Sequence, residues 1–199
     1  RVEFLTGYQN AAYAADYQAF VQKVQAAEAK LGTTTRLSEV VARYLFKLMA
    51  YKDEYEVARL HTDKAFTDKI AAQFEGDYKL VHHLAPPMLA KKNAKGELLK
   101  QSYGPWMRKA FGLLARMKGL RGTALDIFGN TEERRTERAL IVEYRACVEE
   151  LLQGLTPERL PLAVQIASFP EDIRGYGHVK ERHLKAARAR WDALMVQWR

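Results

Sequence analysis

The chain has 199 residues, 48% of them hydrophobic and 28% charged, which excludes the polar, charge-dominated make-up of a disordered segment and supplies enough apolar side chains for a core. Its formal charge is +8, and charges interrupt every apolar run well short of the roughly 20 residues that a membrane span needs. A single cysteine, Cys147, excludes an internal disulfide, cannot by itself hold zinc or an iron–sulfur cluster, and points to a reducing cytoplasmic setting.

The sequence opens at Arg1 without the basic-then-apolar pattern of a secretory signal, so we read it as one domain, 1–199, cut from a longer protein. Tyr13, Tyr17, Phe20, Val24, Ala27 and Leu31 recur at spacings of three and four, which predicts one helix from about Gly7 to Leu31. Gly32 should end it, and the hydroxyls of Thr33 to Thr35 should cap the next helix, whose apolar stripe is Leu37, Val40, Val41, Tyr44, Leu45, Leu48 and Met49. Two short helices follow up to Gly76. From Tyr78 to Leu84 apolar residues and histidine alternate with Lys79, Val81 and His83, which suits a strand. Pro86-Pro87 then breaks regular structure, and a turn at Asn93 to Gly96 would close a hairpin onto Leu98-Leu99.

Pro105 suits a helix start, with Trp106, Ala110, Leu113, Leu114 and Met117 predicted on the buried side and Arg108, Lys109, Arg116 and Lys118 opposite. Asn130 with Glu133 resembles a capping box for a helix whose inner face is Leu140, Tyr144, Cys147 and Leu151. A further helix starts at Thr156-Pro157 and ends before Pro170. The last begins near His178 and packs through Leu184, Ala187, Trp191, Leu194 and Trp198. The expected fold is therefore mainly α, a helical bundle-like domain with a short β-hairpin or irregular insertion around residues 78–104.

Charge is unevenly spread. Between Lys91 and Arg121 stand nine Lys and Arg against Glu97 alone, so this window carries the chain's whole excess. Such a cluster fits a solvated face, a docking surface, a phosphate-bearing ligand or nucleic acid. Arg108, Lys109, Arg116, Lys118 and Arg121 are the candidates there. Gly177, His178, Lys180 and Arg182, at the start of the last helix, are candidates for holding an anion. Gly175-Tyr176-Gly177 is not a dinucleotide fingerprint, because Lys180 replaces the third glycine and no strand precedes it.

His178 and Glu181 share a helical face but His183 does not, so no metal site follows. No nucleophile elbow, P-loop or Cys–His nucleophile pattern is present. The adjacent carboxylates Asp53-Glu54 and Glu132-Glu133 read as exposed, solvated positions, and no catalytic residue is assigned.

Six strings, in order, carry a resemblance: Phe46 to Leu60 (FKLMAYKDEYEVARL), Phe74 to Tyr78 (FEGDY), His83 to Pro87 (HLAPP), Gly104-Pro105-Trp106, Leu120 to Thr123 (LRGT) and Ile173 to Glu181 (IRGYGHVKE). Together they resemble the C-terminal domain of the long, fused bacterial indolepyruvate ferredoxin oxidoreductases. The resemblance implies a whole enzyme that oxidatively decarboxylates aryl 2-oxoacids to acyl-CoA and reduces ferredoxin, using thiamine diphosphate and iron–sulfur clusters located upstream. None of those cofactors is expected in this chain, which should be inactive alone. Its expected partners are the catalytic domains of the same enzyme, with CoA or ferredoxin as further contacts, no membrane, and nucleic acid behind them. The rival expectation is a basic helical module that grips nucleic acid or a phosphate-bearing ligand.

Overall fold

The computed structural model describes residues 1–32, 34–84 and 99–199. The fold is mainly α, as the periodicities predict. The elements in chain order are α1 (Val2–Tyr8), α2 (Ala11–Glu28), α3 (Arg36–Met49), α4 (Glu54–Thr62), α5 (Lys64–Ala71), β1 (His82–Leu84), β2 (Gln101–Tyr103), α6 (Met107–Arg116), α7 (Glu132–Gln153), α8 (Leu160–Ala167) and α9 (Gly177–Trp198), with short 3₁₀ turns between some of them. No helix among the described residues is long and apolar enough to cross a membrane. The residues fall into two compact units, one made of Arg1–Tyr51 with Leu125–Arg199 and the other of Lys52–Ala124.

The first unit holds α1 to α3 and α7 to α9 around one apolar core, in which Leu5, Val24, Val41, Leu45, Tyr144, Val148, Ala163 and Ile166 are fully buried. The predicted single helix over 7–31 is two helices. Asn10 turns extended and its side chain accepts from Tyr13 N at 2.9 Å, so a cap starts a new helix where the apolar spacing alone runs through. The expected threonine caps of α3 are largely replaced. Thr33 lies outside the described residues, Thr34 Oγ1 accepts only a long 3.4 Å bond from Arg36 N, and Thr35 Oγ1 donates to Glu39. Instead the fully buried Glu28, at the end of α2, accepts from Leu37 N and Ser38 N at 2.8 Å each, and from the Ser38 hydroxyl. A carboxylate at a helix N-terminus meets both unpaired N–H groups and the positive end of the dipole.

Buried tyrosines of this unit find backbone acceptors. Tyr8 Oη donates to Tyr51 O at 2.9 Å and Tyr144 Oη to Ala167 O at 2.8 Å, which satisfies the polar end of a ring whose body packs in the core. Thr131, rather than Asn130, caps α7 by accepting from Arg134 N. Pro161 sits in the first turn of α8, where its missing N–H costs nothing.

The second unit packs α4 against α6, with Ala58, Met107 and Phe111 buried and Leu84, Tyr103 and Leu114 leaning on them. β1 and β2 pair antiparallel, His82 opposite Tyr103 and Leu84 opposite Gln101. The strand is shorter than the alternation from Tyr78 predicts, since Tyr78 and Val81 are exposed. Pro86-Pro87, Leu98 and the predicted turn at Asn93 to Gly96 lie outside the described residues. Leu99 lies just ahead of the partner strand rather than in it.

Candidate docking surface

α6 is the element on which the sequence and the structure differ most. The buried side is Met107 and Phe111 with Leu114 partly buried beside them; of the expected stripe Leu114 packs there, while Trp106, Ala110 and Leu113 do not. Trp106 is 60% exposed and Leu113 65% exposed, and both lie on one helical face with Ala110 and Met117, at i, i+4, i+7 and i+11. The reason is geometric: 107, 111 and 114 keep the same helical spacing as 106, 110 and 113, so the helix carries two adjoining apolar arcs and only one meets α4. Trp106 precedes the first full turn and touches Tyr103 edge-on at 6.0 Å.

The five basic candidates from this window take three different places. Lys109 and Arg116 flank the exposed stripe on one side and Arg108 lies on the far side of the helix. All three are exposed, and none has an ion-pair partner among the described residues. Lys118 is half-buried beside Arg59 and Arg121, and burial first, then those two cations, lowers its pKa. Arg121 is buried, with Nε at 2.5 Å from Asp53 Oδ2 and Nη2 at 2.9 Å from Oδ1. It also lies over the Tyr55 ring at 5.6 Å.

Asp53 is thus not the solvated carboxylate expected from the sequence. It is 3% exposed and caps α4 by accepting from Glu56 N at 2.8 Å. Glu56, 2% exposed, receives both Nε and Nη2 of Arg59 at 2.8 Å, and those bonds raise the Arg59 pKa. Two bidentate pairs therefore hold the N-terminal turn of α4 and the loop after α6. This charge is structural, with its lone pairs in use, rather than presented to a ligand.

The second candidate cluster lies in the first unit. Gly175 takes φ +88°, and a Cβ there would meet Val179 Cγ1 at 2.8 Å, so the tight entry into α9 requires glycine. Gly177, at φ +54°, opens the helix, and His178 and Arg182 are exposed. Lys180 is committed elsewhere: it pairs with the buried Glu137, which also receives Arg134. His183 bonds the Arg174 carbonyl through Nδ1 at 2.9 Å, a structural use. No group of three or more metal-ligating side chains gathers among the described residues. Cys147 is buried against Trp191 Nε1 at 3.3 Å, and burial pushes its thiol up to about 11, which removes it as a nucleophile at neutral pH.

The arrangement on α6 is an exposed apolar stripe flanked by two cations that have no ion-pair partner among the described residues. No curated protein and no solved structure matches the chain. Residues 1–193 match the model of a family described as of unknown function, DUF6537, and the chain belongs to that family.

Proposed function

We propose that this chain is a non-catalytic accessory domain of an aryl 2-oxoacid ferredoxin oxidoreductase of the indolepyruvate type, and that it docks on that enzyme's catalytic domains through α6. The six ordered strings support the choice of enzyme. The observation that carries the docking role is the exposed Trp106 and Leu113 stripe bordered by Lys109 and Arg116, which have no ion-pair partner among the described residues. Large exposed apolar groups on a rigid element, with arginine and tryptophan among them, are the composition of a contact surface. In this reading the oxidative decarboxylation, the thiamine diphosphate and the iron–sulfur clusters belong to the upstream domains in the cytoplasm, and this domain shapes assembly or the approach of CoA or ferredoxin.

The test removes this domain from the full-length enzyme and adds it back as a separate chain. Assembly, turnover, or affinity for CoA or ferredoxin should fall on removal and recover on addition; an enzyme indifferent to both operations overturns the proposal. The same chain titrated with labelled DNA and RNA should show only micromolar-or-weaker, sequence-blind binding at physiological salt. Tight binding that drops steeply with salt would instead favour a nucleic-acid module.

A further inference from the structure

Separate from that surface, the second unit contains a cleft of about 270 Å³ whose polar lining is Thr67, Tyr78, Lys79, His82 and Arg108. Among the described residues no carboxylate lines it. Other clefts of the molecule mix the two signs: one sets Arg36 and Arg190 beside Glu171 and Asp172, another sets Lys180 and Arg188 beside Glu133 and Glu137. Lys79 and Arg108 have no ion-pair partner among the described residues. The described wall of the cleft is therefore positive, with no acidic side chain among its described residues to neutralise it.

His82 closes the inner wall of the cleft: it is 8% exposed and stands edge-on to the His61 and Phe111 rings at 5.2 and 5.3 Å. Its Nε2 is shielded and has no hydrogen-bond partner among the described residues, so the ring packs the wall and reports on the cleft without donating into it. The backbone donors at the start of α6 do not serve here, because Arg108 N and Lys109 N already bond Pro105 O and Trp106 O at 3.2 and 3.0 Å. The Thr67 hydroxyl donates to the Asp63 and Lys64 carbonyls. The free donors are side chains: the Arg108 fork, the Lys79 ammonium and the Tyr78 hydroxyl.

We infer that this cleft binds a dianionic phosphate group, the terminal phosphate of a phosphate monoester, between Arg108 and Lys79 with His82 at its inner wall. Two cations match a dianion better than a single carboxylate. Arginine supplies planar, paired N–H donors to two phosphate oxygens while lysine supplies a point charge. The volume leaves room for a tetrahedral group with part of its organic remainder against Leu80 and Pro105. This inference does not depend on the enzyme proposed above, and it separates Arg108 from the docking rim of Lys109 and Arg116.

The experiment titrates the full chain with phenyl phosphate and inorganic phosphate, and in parallel with benzoate and acetate, at constant ionic strength set with sodium chloride, following the His82 ring signals by NMR. The expected result is saturable movement of those signals with phosphate compounds, with Kd on the order of 1 mM or tighter. Arg108→Gln and Lys79→Gln should each weaken binding about tenfold, while Lys109→Gln leaves it unchanged. Both glutamine variants alter exposed side chains, so folding is preserved and their result is readable. Absence of saturation up to about 20 mM, equal shifts with chloride, or unchanged affinity in Arg108→Gln and Lys79→Gln overturns the site. Benzoate or acetate binding as tightly as the phosphates overturns the phosphate assignment.

Discussion

Single buried charges decide more of this molecule's stability than their number suggests. Glu28 holds two backbone N–H groups and a hydroxyl at the start of α3. Replacing it with alanine leaves those donors buried, and should lower stability by about 3 kcal/mol, with Glu28→Gln intermediate. Urea unfolding measures the loss, and an unchanged midpoint contradicts the capping role. Asp53 is a similar case with a built-in control. Asp53→Asn takes the bidentate carboxylate from the buried Arg121 guanidinium, at a cost of about 3 kcal/mol, whereas Asp53→Asn combined with Arg121→Met should recover part of it because the buried cation goes with its carboxylate. Cys147 illustrates the opposite sign. Burial raises its pKa to about 11, so the stability contributed by the protonated thiol is fully present below the unfolded value of about 8.5 and is lost as pH climbs toward 11. Iodoacetamide at pH 8 should label Cys147 slowly in the native protein and rapidly after unfolding. Neither Glu28 nor the Asp53–Arg121 pair was legible in the sequence: Arg121 lies 68 residues from Asp53, and no local pattern announces a carboxylate that serves the next helix.

At the scale of elements, helical period was readable because it is local, while the choice of which apolar arc is covered was not. α6 shows the difference. Both its arcs satisfy the same spacing, and only packing against α4 selects Met107 and Phe111 for burial. Phe111→Ala should therefore cost about 3–4 kcal/mol of the stability of this unit. Leu113→Asp, on the arc expected to be buried, should change stability by no more than about 0.5 kcal/mol and yet, under the docking role proposed above, disrupt assembly with the catalytic domains. Lys109→Glu with Arg116→Glu should behave the same way. Thermal melts paired with size-exclusion of the whole enzyme separate the two effects, and a Leu113→Asp variant that melts early places that arc in a core after all. The break between α1 and α2 was missed for a related reason: the apolar register continues across Asn10, and cap chemistry overrode it.

Taken whole, the molecule is two units with unlike means of support. The first rests on a broad apolar core, and the second on a small cluster beside the Asp53–Arg121 and Glu56–Arg59 pairs. His61 sits in that small cluster, stacked on Phe111 at 5.1 Å and edge-on to His82 at 5.2 Å, and its pKa is lowered by burial first, then by His82 and Lys52. A lowered folded value means the neutral ring is favoured, so its contribution is complete above the unfolded value of about 6.5 and is lost as pH falls through the folded value. Between pH 7 and 5, hydrogen exchange corrected for intrinsic rates should speed up in α4 and α6 before α3 and α7, and His61→Phe should remove that difference; uniform acceleration across both units argues against it. The mainly α class and the basic window were legible at this scale because composition and period report them directly. The division into two units was not, since it depends on which distant segments share a core.

That division also bears on how the chain comes to be folded. The first unit is built from Arg1–Tyr51 and Leu125–Arg199, so during synthesis α2 and α3 emerge with an apolar stripe whose partners, α7 to α9, begin only about eighty residues after α3 ends. The α2–α3 hairpin, fastened at its turn by Glu28, can form early from near neighbours. Closing the larger circuit carries the entropy of the intervening loop, and a second unit that folds on its own beforehand would shorten that loop to the distance between its ends.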